Sequence, residues 1–316
     1  MNKRLWGRRR WCALALWLGL TGCATLTRPD YGAGLVPPLP ARVEWAEVAF
    51  FPQDEYQCGP AALATVLDSA GVERLPQQLV DEVYLPQRQG SLQPEMLAAA
   101  RRAGVLPYRL APQPNALLRE VAAGHPVLVL QNPRFAVLPQ WHYAVVVGYD
   151  LAQGVIVLRS GTERRLLMPI EDFDRSWAKA DRWAFVALPP DRMPATAREP
   201  DFVAAAAALE RVSPAHARSA YQAALSAWPR NLFARIALGN AAYRLNLLDQ
   251  AEAAYRQATV DHPEAADAWN NLAQVLFETQ RLAPAREAAQ RAVALGGPRL
   301  ATYEATLHGI EAAALR

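Results

Sequence analysis

Of the three cysteines in this 316-residue chain, Cys58 is the one whose surroundings suit chemistry. It opens the stretch "CGPAALATVLDSAG", where Gly59 and Pro60 fit the first turn of a helix because a proline there needs no donor. A thiol at a helix N-terminus meets unsatisfied backbone N–H groups and the positive end of the dipole, and both favour thiolate, the nucleophilic form. A nucleophile needs a base, and between residues 44 and 189 the candidates are His125 and His142. His125, in "AAGHPVLVL", falls in the turn before a strand and reads as structural. His142 begins "HYAVVVGYD" at the mouth of a strand, between Trp141 and Tyr143, two rings expected to shield it from water. That setting suits a general base acting on one sulfur. The competing reading is an inert thiol buried in an Ala-rich helix and a strand-end histidine bonded to backbone. No Gly-rich phosphate loop, zinc-spaced Cys/His set or calcium-loop pattern occurs, so no cofactor or metal is expected.

These two residues need elements to hold them. "CGPAALATVLDSAG" and "SLQPEMLAAARRAGV" have helical spacing and end at glycine, whereas "PVLVLQN", "HYAVVVGYD", "GVIVLRS" and "RWAFVALPP" are short β-branched runs bounded by turn residues. Helices first and a strand-rich half afterwards predict an α+β domain over 44–189. Residues 23–43 read as a tether, extended by Pro37, Pro38 and Pro40, and 190–200 as a Pro-containing linker. From 201 to 316 the chain is Ala-rich and helical. There Ala217, Ala251 and Ala285 recur at a spacing of 34, as do Tyr221, Tyr255 and Ala289, then Ala224, Ala258 and Ala292, with Pro229, Pro263 and Gly297 closing the units. His216, His262 and His308 in this region lack mutual spacing for a metal.

The first 22 residues combine five basic residues, no acidic one, and the apolar run "CALALWLGL", the pattern of a signal peptide. Without them the 33 basic residues fall to 28, against 30 acidic, so the basic excess of the whole chain disappears and no nucleic-acid partner is expected. Cys12 leaves with this segment. "LTGC" (Leu20–Cys23) resembles the lipobox of bacterial lipoproteins, which implies acylation of Cys23, a membrane anchor, and, with Ala24 and not Asp following, the periplasmic face of the outer membrane. Cys58 is then the one thiol left, with no internal disulfide partner.

Two further resemblances follow from the quoted motifs. The 34-residue period resembles tetratricopeptide repeats over about 201–297, two full units after a degenerate one; stacked helix pairs of that kind form a concave face for peptides or partner proteins. "QDEYQCGPAAL", "GHPVLVL" and "WHYAVVVGYD" resemble the papain-like cysteine peptidases that remove double-glycine leaders from bacteriocin precursors, over about residues 45–188. The resemblance implies Cys58 as nucleophile, His142 as base and Gln53, five residues before the cysteine, as an oxyanion-hole donor with the Cys58 N–H. It also implies an Asp-Pro pair after the histidine hairpin, where this chain has Arg159-Ser160. Ser160 can orient His142 but brings no charge. The expectation is therefore a lipid-anchored cell-envelope cysteine peptidase whose repeats recruit substrate or a partner. A catalytically degenerate peptide-binding adaptor is the alternative, and an amine in place of water would make the reaction a transfer.

Overall fold

A computed structural model of the chain describes residues 38–53, 57–134 and 139–315. The expected signal segment, Cys23 and most of the expected tether lie outside the described residues. In chain order the first domain comprises β1 (Arg42–Glu44), α1 (Cys58–Ser69), α2 (Pro76–Val83), β2 (Tyr84–Leu85), β3 (Gly90–Ser91), α3 (Gln93–Arg102), β4 (Leu106–Arg109), α4 (Pro114–Ala122), β5 (Val127–Gln131), β6 (His142–Asp150), β7 (Val155–Ser160), β8 (Glu163–Pro169), α5 (Ile170–Ala178) and β9 (Ala184–Leu188). Helices α6 (Glu199–Glu210), α7 (Pro214–Ala227), α8 (Leu232–Arg244), α9 (Leu248–Asp261), α10 (Ala266–Glu278), α11 (Leu282–Leu295) and α12 (Leu300–Ala314) follow.

A seven-stranded antiparallel sheet, in the order β4-β9-β5-β6-β7-β8 with β1 beside the distal half of β6, divides two apolar cores. Strand β6 is buried on both faces, which is why it reads as an unbroken apolar run and not as an alternation. Its Tyr143, Val145 and Val147 face one core, and Ala144 and Val146 face the other. Helix α1 lies in the first core. Its residues from Gly59 to Leu67 are all buried, and fully buried Leu63 and Leu67 each contribute on the order of 2 kcal/mol. A helix apolar all round belongs between layers, not on a surface.

The boundaries differ from the sequence expectation at three places. Arg42 and Val43, assigned to the tether, pair with Asp150 and Tyr149 and extend the sheet, so the domain begins before residue 44. Strand β4 and helix α4 precede the first expected strand, and helix α5 interrupts the half expected to be strand-rich. Helix α6 starts at Glu199, inside the expected linker. That linker is also strapped down. Fully buried Glu120 accepts hydrogen bonds from Thr196 N (2.7 Å), Thr196 Oγ1 (2.6 Å) and Ala195 N (3.2 Å), and its carboxylate lies 2.7 Å from His125 Nδ1. His125 is thus structural, as its turn position implies. Phe202, Val203, Ala206, Leu209, Ala217 and Tyr221 of α6 and α7 share one core with Leu106, Tyr108, Val186 and Leu188 of the sheet. The first helix pair is therefore part of the sheet's packing.

The helical half follows the 34-residue period: α6/α7 is the degenerate pair, α8/α9 and α10/α11 are the full ones, and α12 covers the end. The recurrent alanines sit at the helix crossings, at most 0% exposed for Ala217, Ala251 and Ala285. Gly239 shows why the small position matters. A Cβ there would lie 2.4 Å from the ring of Tyr255, whose hydroxyl donates to Asn240 Oδ1 at 2.7 Å. Gly239→Ala should therefore destabilise the repeats by about 1–3 kcal/mol, the usual cost of overpacking. Chemical denaturation checks this, and an unchanged midpoint would mean that the ring moves aside freely.

Candidate active site

The site forms where the N-terminus of α1 meets the first residues of β6. A cleft of about 860 Å³ is lined there by Cys58, His142, Gln53 and Gly161, with the β2–β3 hairpin and the turn after α5 forming other walls. Gly59, directly after the thiol, is demanded by close packing: a Cβ on it would stand 2.2 Å from Ser91 Oγ of β3. The hairpin is held against β6 as well, since Tyr143 Oη donates to Ser91 O at 3.2 Å. Tyr143 is buried as expected. Trp141 is 52% exposed and lines the same cleft, just before β6 begins at His142.

The turn between β7 and β8 organises three parts of the site at once. Ser160 Oγ lies 2.8 Å from His142 Nε2. With Nε2–H donating to Ser160, the imidazole lone pair is left on Nδ1, the tautomer a base requires. Gly161 O accepts the Gln53 N–H at 3.1 Å, fixing the backbone of that residue at the cleft. Arg159, 4% exposed, sends its guanidinium to the carbonyls of Ala46 (3.0 Å), Val48 (3.2 Å) and Trp45 (3.4 Å), and also to Arg164 O. It thereby staples the segment that leads to Gln53. Arg159, Gly161 and Ser91 were missed in the sequence. For Arg159 the available signal was a charged residue closing an otherwise apolar strand.

The electrostatics overturn the expectation of a depressed thiol. Burial pushes the Cys58 thiol up, and it outweighs the backbone N–H groups of Tyr143, Gly59 and Cys58 itself, which pull it down. Burial pushes the His142 imidazole down. Thiol and imidazole share the cleft without a hydrogen bond to each other; the histidine's partner is Ser160. Both groups thus rest neutral. The helix N-terminus acts on the sulfur as expected, but desolvation is larger.

A cysteine at the start of a helix buried against an antiparallel sheet thus shares its cleft with a strand-borne histidine. Residues 45–184 match the Peptidase_C39 like family, and residues 236–299 match the Tetratricopeptide repeat family. The chain carries a Peptidase_C39-like α+β domain followed by an all-helical tetratricopeptide-repeat domain.

Among solved structures, a protein described as a C39-like peptidase from Bacillus anthracis aligns over 48% of this chain and 98% of its own, at 18% identity and a TM-score of 0.41. The first tetratricopeptide domain of Spaghetti (RPAP3), bound to an HSP90 peptide, aligns over 37% of this chain and 94% of its own (18% identity, TM-score 0.35). The Sgt2 tetratricopeptide domain from Aspergillus fumigatus aligns over 37% and 82% (23% identity, TM-score 0.34). No curated protein matches the chain.

Proposed function

We propose that the chain is a lipid-anchored cell-envelope cysteine peptidase. The observation that supports this most is the gathering of Gln53, Cys58 and His142 on one cleft, with His142 held by Ser160 at 2.8 Å. In the proposed reaction Cys58 Sγ attacks the peptide carbonyl carbon as its proton passes to His142 Nδ1. The oxyanion is met by the Gln53 side-chain amide and the Cys58 N–H. The imidazolium returns the proton to the departing amine, leaving a thioester, which water deprotonated by His142 then hydrolyses. Cys23 would carry the acyl anchor on the periplasmic face of the outer membrane, and the repeats would bring a protein or peptide to the cleft.

The adaptor reading remains a second proposal, favoured by the uncharged third residue and by the absence of a direct bond between thiol and imidazole. Incubation of the full chain with a random octapeptide library, read by mass spectrometry, separates the two. A peptidase should generate new termini, and Cys58→Ala should reduce their formation by about a thousandfold or more. Peptide retention without cleavage by the wild type would leave the adaptor. Cys23→Ala should move the chain out of the membrane fraction; retention there would exclude the anchor.

A further inference from the structure

Beside the catalytic cleft, and sharing Gln93, Ala180 and Asp181 with it, lies a second depression of about 450 Å³. Arg101, from the last turn of α3, and Arg109, at the end of β4, line it together with Trp183. Arg101 Nε is buried and has no hydrogen-bond partner. Burial, and then the charge of Arg211 just after α6, hold its guanidinium below the ordinary range. None of these three arginines forms an ion pair with a described residue, and Asp181 on the shared wall pairs with none of them. Several other arginines of the same domain are matched by acids: Arg74 and Arg102 share Glu82, Arg165 takes Glu44 and Arg182 takes Asp174.

A guanidinium half withdrawn from water, with its Nε buried and another cation beside it, gains from an anion that completes it. The wall that joins this depression to the cleft is itself held in a costly shape, since Asp181 and Arg182 both adopt positive φ, 52° and 48°. We propose that the arginine pocket docks a carboxylate of the peptide lying in the neighbouring cleft, so that the chain selects peptides with an acidic group near the bond presented to Cys58. Selection of a substrate rests on the peptidase reading, whereas the docking does not.

Calorimetric titration of the full-length Cys58→Ala chain reads docking without turnover. The probes are Ac-Gly-Gly-Gly-Glu-Glu-NH2 and its Gln-Gln counterpart. The acidic peptide should bind about tenfold more tightly or better, the effect of one well-formed charged contact. Arg101→Gln and Arg109→Gln should each remove most of that preference. Because Arg101 is uncompensated, Arg101→Met should also raise the unfolding midpoint, a gain that an arginine with a structural partner would not give. Should an Arg101 variant fail to fold, exposed Arg109 carries the same comparison. Equal affinities for the two peptides, or a preference that survives both substitutions, overturns the proposal. So does tight binding of inorganic phosphate alone with no discrimination between the peptides, which would make this a free-anion site. Discrimination by the Cys58→Ala chain with no library cleavage by the wild type sinks the peptidase reading and leaves the docking site standing.

Discussion

At pH 6, iodoacetamide should alkylate Cys58 at least about three hundredfold more slowly than a thiolate would react, with the rate rising in a single step only above about pH 8.5, the ordinary thiol range. Burial raises the thiol and lowers the imidazole, so proton transfer between them at rest is unfavourable in both directions. The charged side chains on the cleft wall leave these directions in place. Arg88, Lys179 and Asp181 line the cleft, Lys179 is bonded to Arg134 O at 2.6 Å, and Arg159 is committed to backbone carbonyls. The atom that touches Nε2 is a hydroxyl, which orients the ring but cannot favour an imidazolium as a carboxylate would. On this reading the proton moves during attack and not before it.

Ser160→Asp tests the argument by placing an anion on Nε2–H. A charged hydrogen bond is worth about 1.5–3 kcal/mol, enough to shift the equilibrium toward thiolate–imidazolium by about tenfold to a hundredfold. Alkylation at pH 6 should rise by that factor. A wild-type rate that stays flat from pH 8 down to pH 5 would instead mean a preformed ion pair and would refute the neutral resting state. The same shifts set a stability window. The unfolded imidazole takes a proton near about pH 6.5 that folded His142 resists, so its contribution is lost as pH falls from there through the folded pKa. The unfolded thiol ionises near about pH 8.5, before folded Cys58, so that contribution is lost as pH rises through the folded pKa. Both are complete between those values, and Cys58→Ala should flatten the alkaline limb alone.

What was legible in the sequence was what local pattern encodes. The helix from Cys58 and the strand from His142 came from periodicity and turn residues, and the repeats came from alanines and tyrosines recurring every 34 positions at helix crossings. Short elements such as β4 and β8 were not legible, because four to seven residues with a proline or several arginines carry no clear period. The protonation state of Cys58 was misread for a different reason. The helix terminus is local and visible in "CGP", whereas the desolvation that outweighs it comes from burial against a core assembled from distant parts of the chain, Tyr143 among them. The strapping of residues 190–200 was hidden likewise, since its anchor, Glu120, lies 76 positions away.

Arg159 is the sharpest instance of that kind, and its replacement should produce the largest loss of stability. Besides Arg164 O in the next strand, its carbonyl partners lie 111 to 114 positions earlier in the chain, so nothing near "VLRS" announces them. Arg159→Met leaves the oxygens of Trp45, Ala46 and Val48 without this donor. Val48 O is then left with no other donor, at about 1–3 kcal/mol, whereas Trp45 O keeps the Val48 N–H and Ala46 O keeps Arg164 Nη2; with the other charged hydrogen bonds lost and partly offset by no longer burying a charge, the net loss is about 3 kcal/mol. A chemical-denaturation midpoint within error of wild type would disprove the staple. The segment released leads directly to Gln53, so peptide cleavage should fall about tenfold or more, while Cys58 alkylation, which does not need Gln53, should keep its wild-type pH profile. Arg159→Asp should be worse than Arg159→Met, because a carboxylate there would point at carbonyl oxygens with no donor to meet it. The two adjacent positions thus respond to an acid in opposite ways: at 160 it meets an imidazole N–H and activates the thiol, and at 159 it breaks the clamp that builds the oxyanion side of the cleft. An acid one residue out of place is therefore expected to unfold the site that the same acid, correctly placed, would sharpen.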